Sequence, residues 1–314
     1  MEGNHFAINK TADVIPFLKA IQKMLKGKGD LEATILDIKG CFPNMPRETI
    51  RFALRKIAQE FKQTMGHKGV WVPTRTETQA CTWTKRKYGT QFLPFELMLD
   101  VMDFALDNAI VKMPDGQLMR QVGGIPMGDP LSPGMTIGAC AWMEKEWMQT
   151  LTEKDKEMFG AKRFMDDILL IKAKNESWDY ERFTEDFIAS ECYQKPLELE
   201  PGNEGTFLEV RYKIEGDQIR YKLKNDNENG DNKIWRYQHY ESNSPEGQKQ
   251  ATLAASLTKA HKYASDIEML REGAIAKINE FVALDYPTGV LKRACGKMWA
   301  STREPEWLRI KRQI

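Results

Sequence analysis

Residues 163–171 read Arg-Phe-Met-Asp-Asp-Ile-Leu-Leu-Ile, two adjacent carboxylates inside an otherwise apolar run. A run this short and this rich in strand formers belongs in a sheet interior. An ionised carboxylate does not, unless a partner or a cation compensates it. A continuous strand would send Asp166 and Asp167 to opposite faces. Two solutions stay open: a tight hairpin whose turn carries solvated aspartates, or a strand end where acids face a cation. Either way the chain needs a sheet.

A second acid is placed in the same manner. Residues 31–38 are a short apolar run ending in Asp37-Ile38-Lys39-Gly40, and a helix is expected from near Pro46, since proline is tolerated in a first turn. Asp37 alone reads as a capping or loop aspartate. Two such strands side by side would instead bring Asp37 and Asp166 to one end of a sheet. Paired carboxylates suit Mg²⁺, which takes oxygen ligands and keeps water or phosphate in its shell. Two such ions roughly 3.5–4 Å apart activate a hydroxyl and stabilise a departing pyrophosphate.

The rest of the chain predicts an α/β part followed by a helical one. Residues 11–25 carry the spacing of an amphipathic helix. A helix is expected from Pro94 to Ala109, then a hairpin around Pro114-Asp115-Gly116. A Gly/Pro-rich stretch, 123–134, leads into an apolar helix ending near Trp147. Strand–acids–strand is expected over 161–173, a helix over 178–191, and short strands over 206–212 and 218–223. Residues 224–248 are polar, and 250–284 read as helical with an interruption near Gly273. The resulting domains are 1–29, a linking helix; 30–223, an α/β domain with a basic insertion at 61–92; and 224–314, mostly helical.

The chain has 314 residues, with 46 Lys and Arg against 45 Asp and Glu, so bulk charge says nothing of a nucleic-acid partner. Positive charge is local: 61–92 hold six basic residues against Glu77, with Trp71, Trp83, Tyr88 and Phe92 interleaved, and 286–314 hold seven against two. Five scattered cysteines fit neither a disulfide framework nor a Cys-based zinc site. No apolar run approaches the ~18 residues of a membrane span, and no secretory signal opens the sequence. An intracellular location is expected.

Three segments in order resemble palm motifs A, B and C of reverse transcriptases: Asp37 to Phe42, Gly123 to Pro133 and Phe164 to Asp167. The Penelope-like retroelement branch, related to telomerase, is the most similar. Its aromatic and Asn-Pro steps resemble residues 36–46, and its Gln-x-x-Gly-x-x-Met-Gly segment resembles residues 121–128. Phe207-Leu208-Glu209-Val210 looks like that family's primer-gripping element. Ser244-Pro245 and Asp285-Tyr286-Pro287 are similar to its thumb signatures, without their histidine and glycine. The resemblance covers about residues 12–295. It implies a right-hand palm with an antiparallel sheet and packed helices, a helical thumb, and RNA-directed DNA polymerase activity.

The resemblance also supplies roles. Asp37, Asp166 and Asp167 would be the catalytic carboxylates holding two Mg²⁺ ions, with Mn²⁺ a substitute. Phe42 would be the steric gate beneath the incoming sugar, favouring deoxynucleotides. Gly128 and Ser132 would lie against the base pair and template backbone, with Gly124 allowing close approach. Lys195 would protonate the leaving group, although a surface lysine before Pro196 is the simpler reading. Lys85, Arg86, Lys87, Phe207, Leu208, Lys292 and Arg293 would contact nucleic acid, the cations through phosphates. The partners would be an RNA template and a DNA or RNA primer, with no membrane.

Only 36 residues precede Asp37, fewer than a reverse-transcriptase fingers region needs, so fingers are expected to be largely missing. A partner chain could supply them, or the 61–92 stretch could replace them. The alternative is a silent, reverse-transcriptase-derived RNA-binding or structural subunit of a ribonucleoprotein.

Overall fold

The computed structural model describes residues 5–74, 81–83, 86, 88–189, 192–227 and 234–314. The chain is mixed α/β, an open antiparallel sheet with packed helices and a helical carboxy-terminal part. Two compact units divide it: residues 1–9, 36–170 and 179–202, and residues 10–35, 171–178 and 203–314.

The principal sheet orders its strands β6 (Phe159–Phe164), β7 (Asp167–Lys174), β1 (Asp30–Ile38) and β8 (Leu199–Pro201). Only Met165 and Asp166 separate β6 from β7, so these two form a tight hairpin. β1 runs antiparallel to β8, with Asp37 opposite Glu200. The amide of Ile38, last in β1, donates to the Asp166 carbonyl at 3.1 Å. The end of β1 therefore meets the start of β7. Ile168 through Ile171 are fully buried, as expected of a strand covered on both faces.

The first unit contains α2 (Cys41–Asn44), α3 (Arg47–Met65), α4 (Phe95–Asp107), α5 (Ser132–Thr150), α6 (Glu153–Met158) and α7 (Tyr180–Ala189). Pro46 caps α3, the helix expected there, with the single turn of α2 before it. Gly138 lets α5 approach α3, because a Cβ there would lie 2.5 Å from Leu54 Cδ2. Phe6, Trp147, Phe159 and Phe187 interlock mostly edge to face.

The basic stretch is partly accounted for by its own packing. β2 (Gly69–Pro73) pairs with β3 (Thr90–Pro94), setting Trp71 opposite Phe92. Trp83 stacks on Phe61 with ring centroids 4.9 Å apart. Tyr88 and Arg86 are exposed, and Lys85 and Lys87 lie outside the described residues. The expected hairpin is β4 (Ile110–Lys112) with β5 (Leu118–Arg120).

The second unit contains α1 (Val14–Leu25) and a three-stranded sheet of β9 (Thr206–Phe207), β10 (Val210–Glu215) and β11 (Gln218–Leu223). It also contains α8 (Glu246–Lys262), α9 (Ile267–Val282), α10 (Thr288–Thr302) and α11 (Glu306–Gln313). Leu253, Leu257, Phe281, Cys295 and Trp307 are fully buried among these four helices. The helical interruption is not at Gly273, which sits inside α9, but at residues 263–266. Asp266 makes the break: its carboxylate accepts from the amides of Glu268 and Met269, both at 3.0 Å, a stronger helix start than one tolerated glycine is a stop. Among the described residues, no helix is long and apolar enough to cross a membrane.

Candidate active site

The two adjacent acids are separated by the hairpin. Asp166 occupies the turn, Asp167 is the first residue of β7, and both are half-buried. Met165 makes the turn possible with φ 58°, a left-handed conformation unusual for a bulky non-glycine residue. Asp37, near the end of β1, is half-buried beside this tip. Burial pushes its carboxyl above the usual aspartate range, and the charges of Asp166 and then Glu200 push it further. Glu200, opposite Asp37 across the sheet, is an acid that sequence reasoning missed, because only the register of β8 brings it there. Its nearest compensation is Lys39, 3.8 Å away and largely exposed.

Negative charge therefore accumulates at one end of the sheet. Among the described residues, no three His, Cys, Asp or Glu side chains converge to hold a metal ion. Mg²⁺ at nucleotide sites is bound by one or two carboxylates, its remaining ligands being water and substrate phosphates. The all-oxygen set of Asp37 and Asp166, with Asp167 adjoining in sequence, fits that hard cation, and the raised Asp37 carboxyl marks a place where a cation would be favourable.

Next to the acids, Gly40 at φ 54° turns the chain from β1 into α2, which carries the half-buried Phe42. The Phe42 carbonyl accepts from the Ile125 amide at 2.7 Å. Gly124, at φ 65°, passes so close that a Cβ would lie 2.4 Å from the Pro43 carbonyl oxygen and 2.7 Å from that of Phe42. Arg47 fastens the same loop, donating to the carbonyls of Gly124 at 2.9 Å and Gln121 at 2.7 Å. No motif singled out this arginine, whose role depends on the loop folding back onto α3.

The remaining sequence-derived residues are distributed as follows. Gly128 is exposed, with open space where a side chain would be. Ser132 is buried and its hydroxyl donates to the Pro126 carbonyl at 2.5 Å, closing the loop that leads into α5. Lys195 is exposed and lines a cavity of about 770 Å³ with Tyr193, Leu197 and Leu199. The structure thus brings Asp37, Phe42, Asp166 and Asp167 into one unit with the loop holding Gly124, Gly128 and Ser132. Phe207, Leu208, Lys292 and Arg293 belong to the second unit. There Phe207 is core, Leu208 stands at φ 52° between β9 and β10, and Lys292 and Arg293 lie on α10, Arg293 exposed.

An open antiparallel sheet surrounded by packed helices, followed by a helical part, is a palm-like fold with a helical thumb region. Across almost all of its length the chain is similar in fold to about half of telomerase. It matches telomerase from Candida albicans, in complex with a TWJ fragment of telomeric RNA, at 13% identity and TM-score 0.63, covering 98% of this chain and 50% of that one. Telomerase from Candida tropicalis with the same kind of RNA fragment matches at 17% identity and TM-score 0.53, over 97% and 48%. The apo form from Candida tropicalis matches at 15% and TM-score 0.52, over 97% and 52%. The chain spans about half the length of these structures. No protein-family model and no curated protein matches it.

Proposed function

We propose that the chain is an RNA-directed DNA polymerase, or the palm and thumb of one, extending a primer 3′-hydroxyl with deoxynucleotides. The observation that carries this reading is the juxtaposition of Asp37 with the β6–β7 tip, where burial and like charge act on one carboxyl. Asp37 and Asp166, with Asp167, would hold Mg²⁺. Bound there, it would acidify the attacking hydroxyl and neutralise the departing pyrophosphate.

The chain's own residues do the positioning. Phe42, its backbone fixed by the loop at Gly124, would supply the flat ring that a ribose 2′-hydroxyl meets. Gly128, with no side chain, leaves room for a base pair against the loop, while Ser132 shapes the loop from within. Lys195 is the proposed proton donor to pyrophosphate. A palm over 30–223 and a thumb from 224 onward would place Phe207 and Leu208 at the primer, and Arg86, Lys292 and Arg293 near phosphates. The Candida telomerases bound to telomeric RNA support an RNA partner.

Primer extension on an RNA template with purified protein, Mg²⁺ and deoxynucleotides tests the reading. Asp166→Ala is expected to lower extension by about 10³-fold, since it would remove a ligand to the metal that supplies several kcal/mol of transition-state charge stabilisation. Extension that survives the substitution removes this site from the chemistry. RNA binding with no extension by the unaltered protein favours the binding-subunit alternative.

A further inference from the structure

Behind the hairpin tip lies a buried ion pair that the proposed chemistry does not use. Arg163, in β6, and Glu144, in α5, are both fully buried and are joined by a hydrogen bond from Nε to Oε1. Glu144 also accepts from the Tyr193 hydroxyl at 2.8 Å and from the Phe6 amide at 2.8 Å. The second arm of the guanidinium, Nη1, donates to the Met165 carbonyl at 2.7 Å. Nη2 has no hydrogen-bond partner among the described residues.

Packing does not require this arrangement. Apolar side chains of similar size often replace a buried ion pair with little loss, although here Glu144 also satisfies the Tyr193 hydroxyl and the Phe6 amide. A lysine would supply the charge without the fixed planar fork that reaches two acceptors at once. The acceptor on the second arm is distinctive: it is the carbonyl of the residue held at φ 58°, immediately before Asp166. A bulky residue keeps that conformation only where its surroundings over-determine it. The charge-assisted bond from Arg163 does so, and Glu144 anchors it to α5, the helix that the Gly124–Ser132 loop leads into.

We propose that Arg163, held by Glu144, is a positioning residue that sets the β6–β7 tip and so the carboxylates of Asp166 and Asp167. The inference rests on the polymerase reading for its catalytic consequence but not for its structural one. The test replaces the pair by apolar side chains, Arg163→Met with Glu144→Leu, and compares it with the unaltered protein. Four measurements are made: thermal melting, hydrogen exchange at residues 164–168, Mn²⁺ binding by electron paramagnetic resonance, and primer extension.

The double variant is expected to fold, with a lower melting temperature because the buried Tyr193 hydroxyl and Phe6 amide lose their acceptor. Its hairpin amides should exchange faster than those of the unaltered protein while protection in α8–α11 is unchanged. Mn²⁺ half-saturation should rise about 10- to 100-fold, the usual consequence of losing a residue that orients a ligand. Extension kcat should fall by a similar factor, with nucleotide KM nearly constant. If the double variant does not fold, Arg163→Lys, which retains the charge but cannot reach both acceptors, carries the test on the same readouts. A folded variant with native hairpin exchange and native Mn²⁺ affinity overturns the proposal. An unaltered protein that never extends a primer overturns the polymerase reading instead, and the exchange and Mn²⁺ readouts still decide the role of Arg163.

Discussion

Gly124→Ala places one methyl group where the structure has no room for it. The new Cβ would lie 2.4 Å from the Pro43 carbonyl oxygen and 2.7 Å from both the Phe42 oxygen and the Pro43 carbonyl carbon. These are backbone atoms, so no side-chain rotation relieves the overlap. The φ of 65° adds the cost of a left-handed residue with a side chain, about 1–2 kcal/mol. Forcing extra volume into a packed site costs roughly 1–3 kcal/mol. The sum, about 2–5 kcal/mol, is a large share of the ~5–15 kcal/mol that holds a typical domain. Gly123→Ala is the matched control, because nothing lies within 4 Å of its Cβ and its φ is not left-handed; its expected effect is within about 0.5 kcal/mol. Urea unfolding followed by tryptophan fluorescence measures both. Equal losses in the two variants would refute the close-approach argument. Since the displaced atoms include the Phe42 carbonyl, any extension activity left in Gly124→Ala should discriminate less between deoxynucleotides and ribonucleotides.

Asp37→Asn tests the charge at the sheet end. Burial, then Asp166 and Glu200, raise the Asp37 carboxyl above its unfolded value, so the folded chain binds that proton more tightly and loses stability as pH rises through the raised value. The variant should therefore resist urea better than the unaltered protein at pH 7, with the gap closing once pH falls below the ordinary aspartate range, and should not extend primers; lower stability at pH 7 contradicts the assignment. Asp266 behaves oppositely. Burial opposes its charge, but hydrogen bonds from Arg220, the Met269 amide and Ser265 prevail and pull its carboxyl down to about 2. Its contribution is present above the ordinary aspartate value and is lost as pH falls toward 2, and Asp266→Ala should cost about 1 kcal/mol at pH 7 through the lost helix cap, vanishing in acid. Thiol labelling of the native protein should modify Cys81 rapidly and spare Cys41, Cys140, Cys192 and Cys295, which are buried, Cys295 with its thiol pushed up to about 11 by that burial. Rapid native labelling of Cys41 or Cys140 would mean the sheet end opens.

Much of this was legible in the residues themselves. The apolar run around Asp166 and Asp167 could only be strand, the Pro46 step announced a helix, and Pro114-Asp115-Gly116 a hairpin, because periodicity and turn chemistry act over a few residues. The linear sequence also set three acids and one aromatic in or just beyond short strands. It could not decide how the adjacent acids divide, which needed the left-handed Met165, nor where the long carboxy-terminal helix breaks, which Asp266 settles through contacts with Arg220 and the α9 amides. Glu200 reaches Asp37 only through the register of β8, Arg47 reaches the Gly124 loop 77 positions away, and Arg163 meets Glu144 only when β6 lies against α5. Local stereochemistry is written into neighbouring residues. The convergence of charge, and what holds it in place, comes from long-range packing, in which partners are chosen by proximity in space.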